Sequence, residues 1–385
     1  MAALAPTVSL GFAEGQLRNW KLLQDFQERL RKALAESAQA VEEADPKRLL
    51  LTENYFSLLM FGLLNPVVRT MRGLCAASHF ERVKAEVCGR AVSLGSFSEA
   101  QHVFDPELLS RVLRDCAAEA PASFGDPRVR EYVQELTAND GTLLPALPRM
   151  AWALYQDEHH RAGKLHLEFS VFRQVPTEWT LTPANGSERK AWEKKLKRGG
   201  FYVNDRNYSH DYKLIPRVEK AGASYVLRLH NNAILTELGE RRPLTETDRK
   251  AGVVRDVQVR LGREPDGPEV RLVEVQSEGH IFLLITDRRD IPAELIALIY
   301  RYRWQIELFF KWVKCILGCR HLLAESPEGV AAQIYCALIA ATLLTLYTGR
   351  KPSKRAMEAL QLYWLGYASL DELCVALKIE KKADV

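Results

Sequence analysis

Apolar residues recur at three-and-four spacing from Leu17 to Ala40, run almost unbroken from Arg48 to Leu64, and return as a shorter amphipathic piece from Pro106 to Ala120. A period near 3.6 puts one stripe of each segment against a core, so the amino-terminal region is predicted to be helical. Between these pieces, Ser93 to Gln101 carries a helix-start signature in which Ser96 or Ser98 caps through its hydroxyl and Glu99 closes a capping box. From about residue 128 the period shortens to two. Val129–Leu136 alternates imperfectly, Lys164–Phe172 alternates cleanly, and Glu178–Leu181 and Gly200–Val203 follow. Alternation sends successive side chains to opposite faces of a sheet, which predicts four strands. Ser187–Lys197 and Ser209–Ala221 read as helices around the fourth strand, making this region α/β.

Residues 222–286 add Ser224–His230, Arg255–Leu261, Glu269–Val275 and His280–Thr286, four strand-like segments with no helical pattern between them. They are predicted to form an inserted β block. From Pro292 to about residue 378 the pattern is helical again, broken at Gly349–Pro352. The predicted organisation is a helical region over 1–125, an α/β region over 126–345 with the β insertion at 222–286, and a helical segment over 346–385. Gly329–Tyr347 reaches membrane-spanning length, but Gln333, Thr342 and Thr345 interrupt it, and a buried core helix is the expectation, with no membrane association.

With 47% hydrophobic residues and 17 prolines among 385, the chain is expected to fold into a globular protein. Lysine plus arginine (53) barely exceeds aspartate plus glutamate (49), so the net charge of +4 leaves any polyanion site to local clustering. The seven cysteines are an odd, scattered set that suits buried thiols in a reducing compartment, and no disulfide is predicted. Cys315, Cys319 and His321 are the tightest group, but no second ligand pair stands at a finger-like spacing, so zinc is not expected. The start Met-Ala-Ala-Leu-Ala-Pro lacks a basic stretch followed by an apolar run, which predicts a cytoplasmic protein.

The segment after Pro292 concentrates the chemistry. A continuous helix is expected through Leu317, with proline in its first turn. At about 100° per residue, Tyr300, Arg303, Glu307, Lys311 and Lys314 fall in a stripe roughly 60° wide. Ile306, Phe309, Val313 and Ile316 lie opposite, and Leu308, Phe310, Trp312 and Leu317 fill the flanks. Such a stripe is either the wet side of an amphipathic helix, tied by ion pairs worth a few tenths of a kcal/mol, or the lining of a groove. Its narrowness favours the groove.

Tyr300, Arg303, Glu307 and Lys314 match without a gap the Y-x2-R-x3-E-x6-K signature of bacterial insertion-sequence transposases of the insertion-sequence-four group. The resemblance extends through Thr286–Glu294 and Tyr300–Lys311 and covers residues 130 to about 345. It implies a ribonuclease H-like catalytic core with a mostly β insertion, in which one aspartate ends the first strand, a second ends the fourth, and the glutamate comes from a later helix. Asp140, in Ala138-Asn-Asp-Gly-Thr142, and Asp205, in Phe201-Tyr-Val-Asn-Asp-Arg-Asn-Tyr208, fit that order. By themselves they also read as a turn and a helix cap. Asp157, Asp211 and Asp287 fit the strand-end positions less well.

The implied chemistry is two Mg²⁺ ions, with Mn²⁺ able to substitute, held by Asp140, Asp205 and Glu307; such a pair activates a water or 3′-hydroxyl and stabilises the leaving oxygen. Tyr300, Arg303, Lys311 and Lys314 are the expected DNA contacts, arginine gripping two phosphate oxygens and lysine acting as a point charge. The implied partners are double-stranded DNA, as element terminal inverted repeats and as target, and a second copy of the chain in a homodimer. The insertion would help hold the element end, and the amino-terminal helices would recognise the repeats. Arg189–Arg198 and Lys351–Arg355 are further basic segments that read equally as contacts or solvated faces. Relatives read Asp-Arg-Gly-Tyr where this chain has Asp205-Arg-Asn-Tyr208; asparagine tolerates positive φ, so the turn is expected to survive. A DNA-binding relative without catalysis, a nuclease that never joins ends, and a helical scaffold are the competing readings.

Overall fold

The computed structural model describes residues 19–37, 50–68, 70–145, 150, 152–153, 161–316, 324–349, 351 and 353–377. Amino-terminal helices α1 (Asn19–Ala35), α2 (Thr52–Leu64), α3 (Met71–Ala77), α4 (Leu94–Val103) and α5 (Leu108–Glu119) precede the sheet. Their apolar faces share one core with the sheet and the later helices, Phe26, Phe56 and Leu113 lying in the same cluster as Phe169 and Phe309. The α4 cap is Ser93, whose hydroxyl accepts from the Ser96 N–H, rather than Ser96 or Ser98. The helix therefore starts one turn earlier than the capping-box reading placed it.

Nine strands form one sheet: β1 (Thr137–Pro145), β2 (Ala162–Ser170), β3 (Val175–Pro183), β4 (Phe201–Asn204), β5 (Ser224–Arg228), β6 (Leu235–Glu237), β7 (Val253–Leu261), β8 (Glu269–Ser277) and β9 (His280–Thr286). Their order is β3-β2-β1-β4-β5-β9-β8-β7-β6. Strands β1 to β3 are an antiparallel meander, and β4 and β5 run parallel to β1. That 3-2-1-4-5 arrangement is the ribonuclease H-like core. Alternation buries both faces: Phe201, Val203 and Val226 enter the large core, while Tyr202, Tyr225 and Leu227 enter a second one with Trp192, Ile215 and Val218. The second core is capped by α6 (Glu188–Glu193) and α7 (Leu214–Lys220).

Val129–Leu136 is not the first strand: Asp126 caps a helical turn at Pro127–Arg130, with proline in the position where a missing N–H is harmless. The first strand is Thr137–Pro145, so Asp140 lies within it instead of in a turn behind it. Strand β5 likewise belongs to the core, parallel to β4, and the insertion begins after it. Within the insertion, β6 and the short helix α8 (Glu246–Lys250) fell below the length that periodicity resolves.

The carboxy-terminal helices are α9 (Ala293–Tyr302), α10 (Trp304–Ile316), α11 (Pro327–Thr348), α12 (Lys354–Trp364) and α13 (Leu370–Leu377). The continuous helix expected after Pro292 is interrupted at Arg303. Helix α11 is long and apolar enough to cross a membrane, but 89% of its most apolar window is buried inside the fold, packed on α2, α5 and β3. Cys75, Cys88, Cys116 and Cys336 are buried free thiols and Cys374 is buried, and burial pushes Cys116 up to about 12. Cys319, His321, Asp157 and Leu317 lie outside the described residues.

Candidate active site

The site is built by strand register. Strands β1 and β4 pair in parallel with Thr137 against Tyr202 and Ala138 against Val203. The same offset, carried two residues further, sets Asp140 beside Asp205, one residue past the end of β4. Between these pairs, Asn204 Oδ1 accepts from the backbone N–H of Asn139 at 2.9 Å and from its side-chain amide at 3.2 Å, locking the strand ends together. Because side chains alternate, Asp140 and Asp205 share the face of Ala138 and Val203, which is the face covered by α10.

Helix α10 is seated by its apolar side. Ile306, Phe309, Trp312 and Val313 are buried, and Phe309 stacks on Phe169 of β2 with ring centroids 5.0 Å apart. Glu307, in the first turn, therefore emerges half-buried at the same end of the sheet. Its Oε1 accepts from Arg303 Nη2 at 2.6 Å, and the Arg303 charge also reaches Asp140. Leu308, expected on a packed flank, is instead 37% exposed beside Trp304 at 48%.

Electrostatics follow from this crowding. Burial, then the negative charges of Asp205 and Glu188, push the Asp140 carboxyl up to about 7, against the pull of the Gly141 N–H and the Arg303 guanidinium. Asp205 Oδ1 accepts from the Asn207 N–H at 2.9 Å, closing a side-chain turn. Asn207 is not among the residues of positive φ, so the position does not use the left-handed conformation expected of it. Asp287 and Asp211 are structural: Asp287 accepts from Ser224 Oγ and the Tyr225 N–H at 2.8 and 2.9 Å, and Asp211 from the Lys213 N–H at 3.1 Å.

Of the stripe, Tyr300 is half-buried, its ring centroid 6.2 Å from that of Phe282 and 5.7 Å from the Arg303 guanidinium. Burial raises its hydroxyl above the usual phenol range. The Lys311 ammonium stands 5.2 Å over the exposed Trp304 ring, and Lys314 is half-buried. Lys351 is turned inward, donating to Gln305 O and Oε1 at 2.8 and 2.6 Å, which removes it from the basic surface expected at Lys351–Arg355. Two neighbours were not singled out from the sequence. Arg228, at the end of β5, lies 4.5 Å over the Phe282 ring, and Glu188, the first residue of α6, lies against Gly141. In local sequence Glu188 is only the first-turn acid that follows the capping Ser187.

Among the described residues, no three acidic, histidine or cysteine side chains converge closely enough to cage a metal ion; the Glu307 carboxylate is engaged by Arg303. The donor chemistry nonetheless fits a hard divalent cation, because the two carboxylates set beside each other by the strand register and the third on the covering helix are all oxygen donors.

Comparison with known proteins gives the family. A family model described as the transposase DDE domain matches residues 131–343. The chain is 28% identical over 294 residues to the transposase y4zB of Sinorhizobium fredii, covering 72% of this chain and 82% of that protein. It is 24% identical over 313 residues to the transposase of insertion sequence element IS4SA from Synechocystis, covering 78% and 83%, and 27% identical over 241 residues to that of IS5377 from Geobacillus stearothermophilus, covering 62% and 61%. Among solved structures, the piggyBac transposase synaptic complex with hairpin DNA superposes with a TM-score of 0.42 at 11% identity, covering 95% of this chain and 85% of that one. The family match spans more than half of the chain, including both strands and the helix that carry Asp140, Asp205 and Glu307, and the chain therefore belongs to the DDE transposases, metal-dependent enzymes that cut and rejoin DNA.

Proposed function

We propose that Asp140, Asp205 and Glu307 are the carboxylates through which this transposase holds divalent metal, two Mg²⁺ with Mn²⁺ able to substitute. We assign the reacting DNA strand to Tyr300, Arg303, Lys311 and Lys314. The observation that carries this reading is the β1–β4 register, which sets Asp140 beside Asp205 on the face covered by α10. Bound metal would supply Lewis acidity for the attacking oxygen and charge relief for the leaving one.

The chain's own residues do the rest. Arg303, with its planar fork, is suited to grip two phosphate oxygens and release Glu307 as it does so. Lys311 and Lys314 add point charge along the same helix. Packing of Phe309 against Phe169 holds the backbone of Glu307 on a rigid element, so that only its carboxylate has to be freed when DNA arrives. The substrates are duplex DNA of two kinds, the element's terminal inverted repeats and a target, and a homodimer brings two ends together. In this reading residues 1–125 bind element ends, 126–345 catalyse, 346–385 support dimerisation, and the protein works in the cytoplasm on nucleoid DNA.

The test is cleavage and joining on labelled DNA carrying the inverted repeats that flank the gene, for wild type and Glu307→Gln, under Mg²⁺ and Mn²⁺. Wild type is expected to nick at the repeat boundary and join the freed 3′-end to target, while Glu307→Gln binds the ends and falls by about 10³-fold in cleavage. Nicking without joining would reduce the reading to a nuclease. Full activity in the variant would remove Glu307 from the site.

A further inference from the structure

The carboxylate end of the sheet holds a fourth acid that the Tyr-Arg-Glu-Lys signature does not include. Glu188 opens α6, whose start is fixed by Ser187 Oγ accepting from the Lys190 N–H. Its side chain lies across β1 at Gly141: a Cβ at that position would stand 2.7 Å from Glu188 Oε1 and 3.1 Å from its Cγ. Gly141 does not have positive φ, so what glycine provides here is space rather than backbone freedom. Strand alternation points Gly141 and Asp140 to opposite faces of β1, so Glu188 approaches from the α6 side and Glu307 from the α10 side.

The Glu188 carboxylate is mostly buried, 13% exposed, yet its contacts are long. Lys164 Nζ stands 3.5 Å from Oε1, and Asn207 Nδ2 stands 3.5 Å from Oε2. A charged group this enclosed ordinarily takes contacts nearer 2.8 Å. The small space it borders is walled on one side by Leu167, Trp192 and Tyr208, and its polar lining is Asn139, Asp140, His166, Glu168 and Lys195. There Glu168 Oε1 and His166 Nδ1 make no hydrogen bond within the chain, although these residues are only 4% and 5% exposed. Buried polar atoms are almost always satisfied by protein, water or an ion, so the space calls for a polar occupant.

We propose that Glu188 is a fourth metal-facing carboxylate, reaching past β1 through the gap at Gly141 to share a divalent cation with Asp140 and Asp205. This rests on the assignment of those two aspartates above. Asn207 then has a use, because its side-chain amide faces the Glu188 carboxylate at 3.5 Å. The bland alternative is that Glu188 is only the ion-pair partner of Lys164.

The test is Mn²⁺ binding to the full chain without DNA, read by isothermal titration and electron paramagnetic resonance, alongside thermal melting. Glu188→Gln is expected to weaken Mn²⁺ by about tenfold or more with little change in melting temperature. Gly141→Ala is expected to do the same by displacing the Glu188 side chain without removing any carboxylate from the chain, and it serves if Glu188→Gln fails to fold. Lys164→Met should leave Mn²⁺ affinity equal or tighter. If Asp140→Asn weakens Mn²⁺ and both Glu188→Gln and Gly141→Ala do not, Glu188 is an ion-pair partner and the inference is overturned alone. If Asp140→Asn also leaves binding unchanged, the assignment of the strand-end carboxylates falls with it.

Discussion

Arg303 holds Glu307: its Nη2 donates to Oε1 at 2.6 Å, across the break that separates α9 from α10. The same guanidinium faces Asp140, while its Nε, buried, has no hydrogen-bond partner. A residue so placed competes with metal for Glu307 until a phosphate draws it away. Arg303→Ala is therefore expected to tighten Mn²⁺ binding to the DNA-free protein and at the same time to lower single-turnover nicking by about 10²-fold. Unchanged Mn²⁺ affinity in the variant would mean that the pair does not compete with metal.

The insertion carries its own buried ion pair. Arg271 donates to Asp256 at 2.9 and 2.7 Å, with side-chain exposures of 3% and 6%, and also to the carbonyl oxygens of Arg288 and Ile291. Replacing Arg271 by methionine leaves a buried carboxylate and two carbonyls without partners. The expected loss is about 3–5 kcal/mol, read as a lower urea midpoint at constant slope.

Lys351 gives a pH dependence. Burial pushes its ammonium down to about 7, whereas in the unfolded chain it titrates near 10.4. Between those values the unfolded chain binds more protons, so this residue makes stability rise as pH increases from about 7 to about 10, and the full penalty stands below 7. Lys351→Met should melt higher than wild type at pH 6, by about 1–2 kcal/mol after allowing for its partial exposure, and the gap should narrow by pH 9. A constant gap across that range would assign the difference to packing.

Phe309 is 1% exposed between Phe169 and Trp312, with centroids at 5.0 and 5.9 Å. Phe309→Ala should cost about 3–5 kcal/mol. Because the ring seats the turn that carries Glu307, cleavage should fall further than the folded fraction does, a comparison made by normalising nicking to active-site-independent DNA binding.

Much of this was legible because the informative residues sit on long periodic elements. The stripe from Tyr300 to Lys314 follows from a 3.6-residue period, and the buried set Ile306, Phe309 and Val313 follows from the same wheel. What was not legible depends on partners distant in sequence. Ala-Asn-Asp-Gly reads locally as a turn, but β2 and β4 flank it on both sides and hold it extended. Strand β5 looked like the start of the insertion because only its parallel pairing with β4, invisible in one-dimensional pattern, assigns it to the core. The break at Arg303 occurs inside an unbroken helical pattern, and the place of Glu188 depends on an absent side chain at Gly141, 47 positions earlier.

The insertion is joined to the core by hydrogen bonds strand to strand, from β5 through β9, β8 and β7 to β6. It is thus a cantilever, not a hinged lobe. Five inter-strand spacings separate β4 from β6, about 24 Å in all, which corresponds to about seven base pairs along a duplex. Any grip that the outer strands take on an element end is consequently made at a fixed reach from the carboxylates, so the sheet itself would act as the gauge that tells the enzyme how far from its foothold to cut.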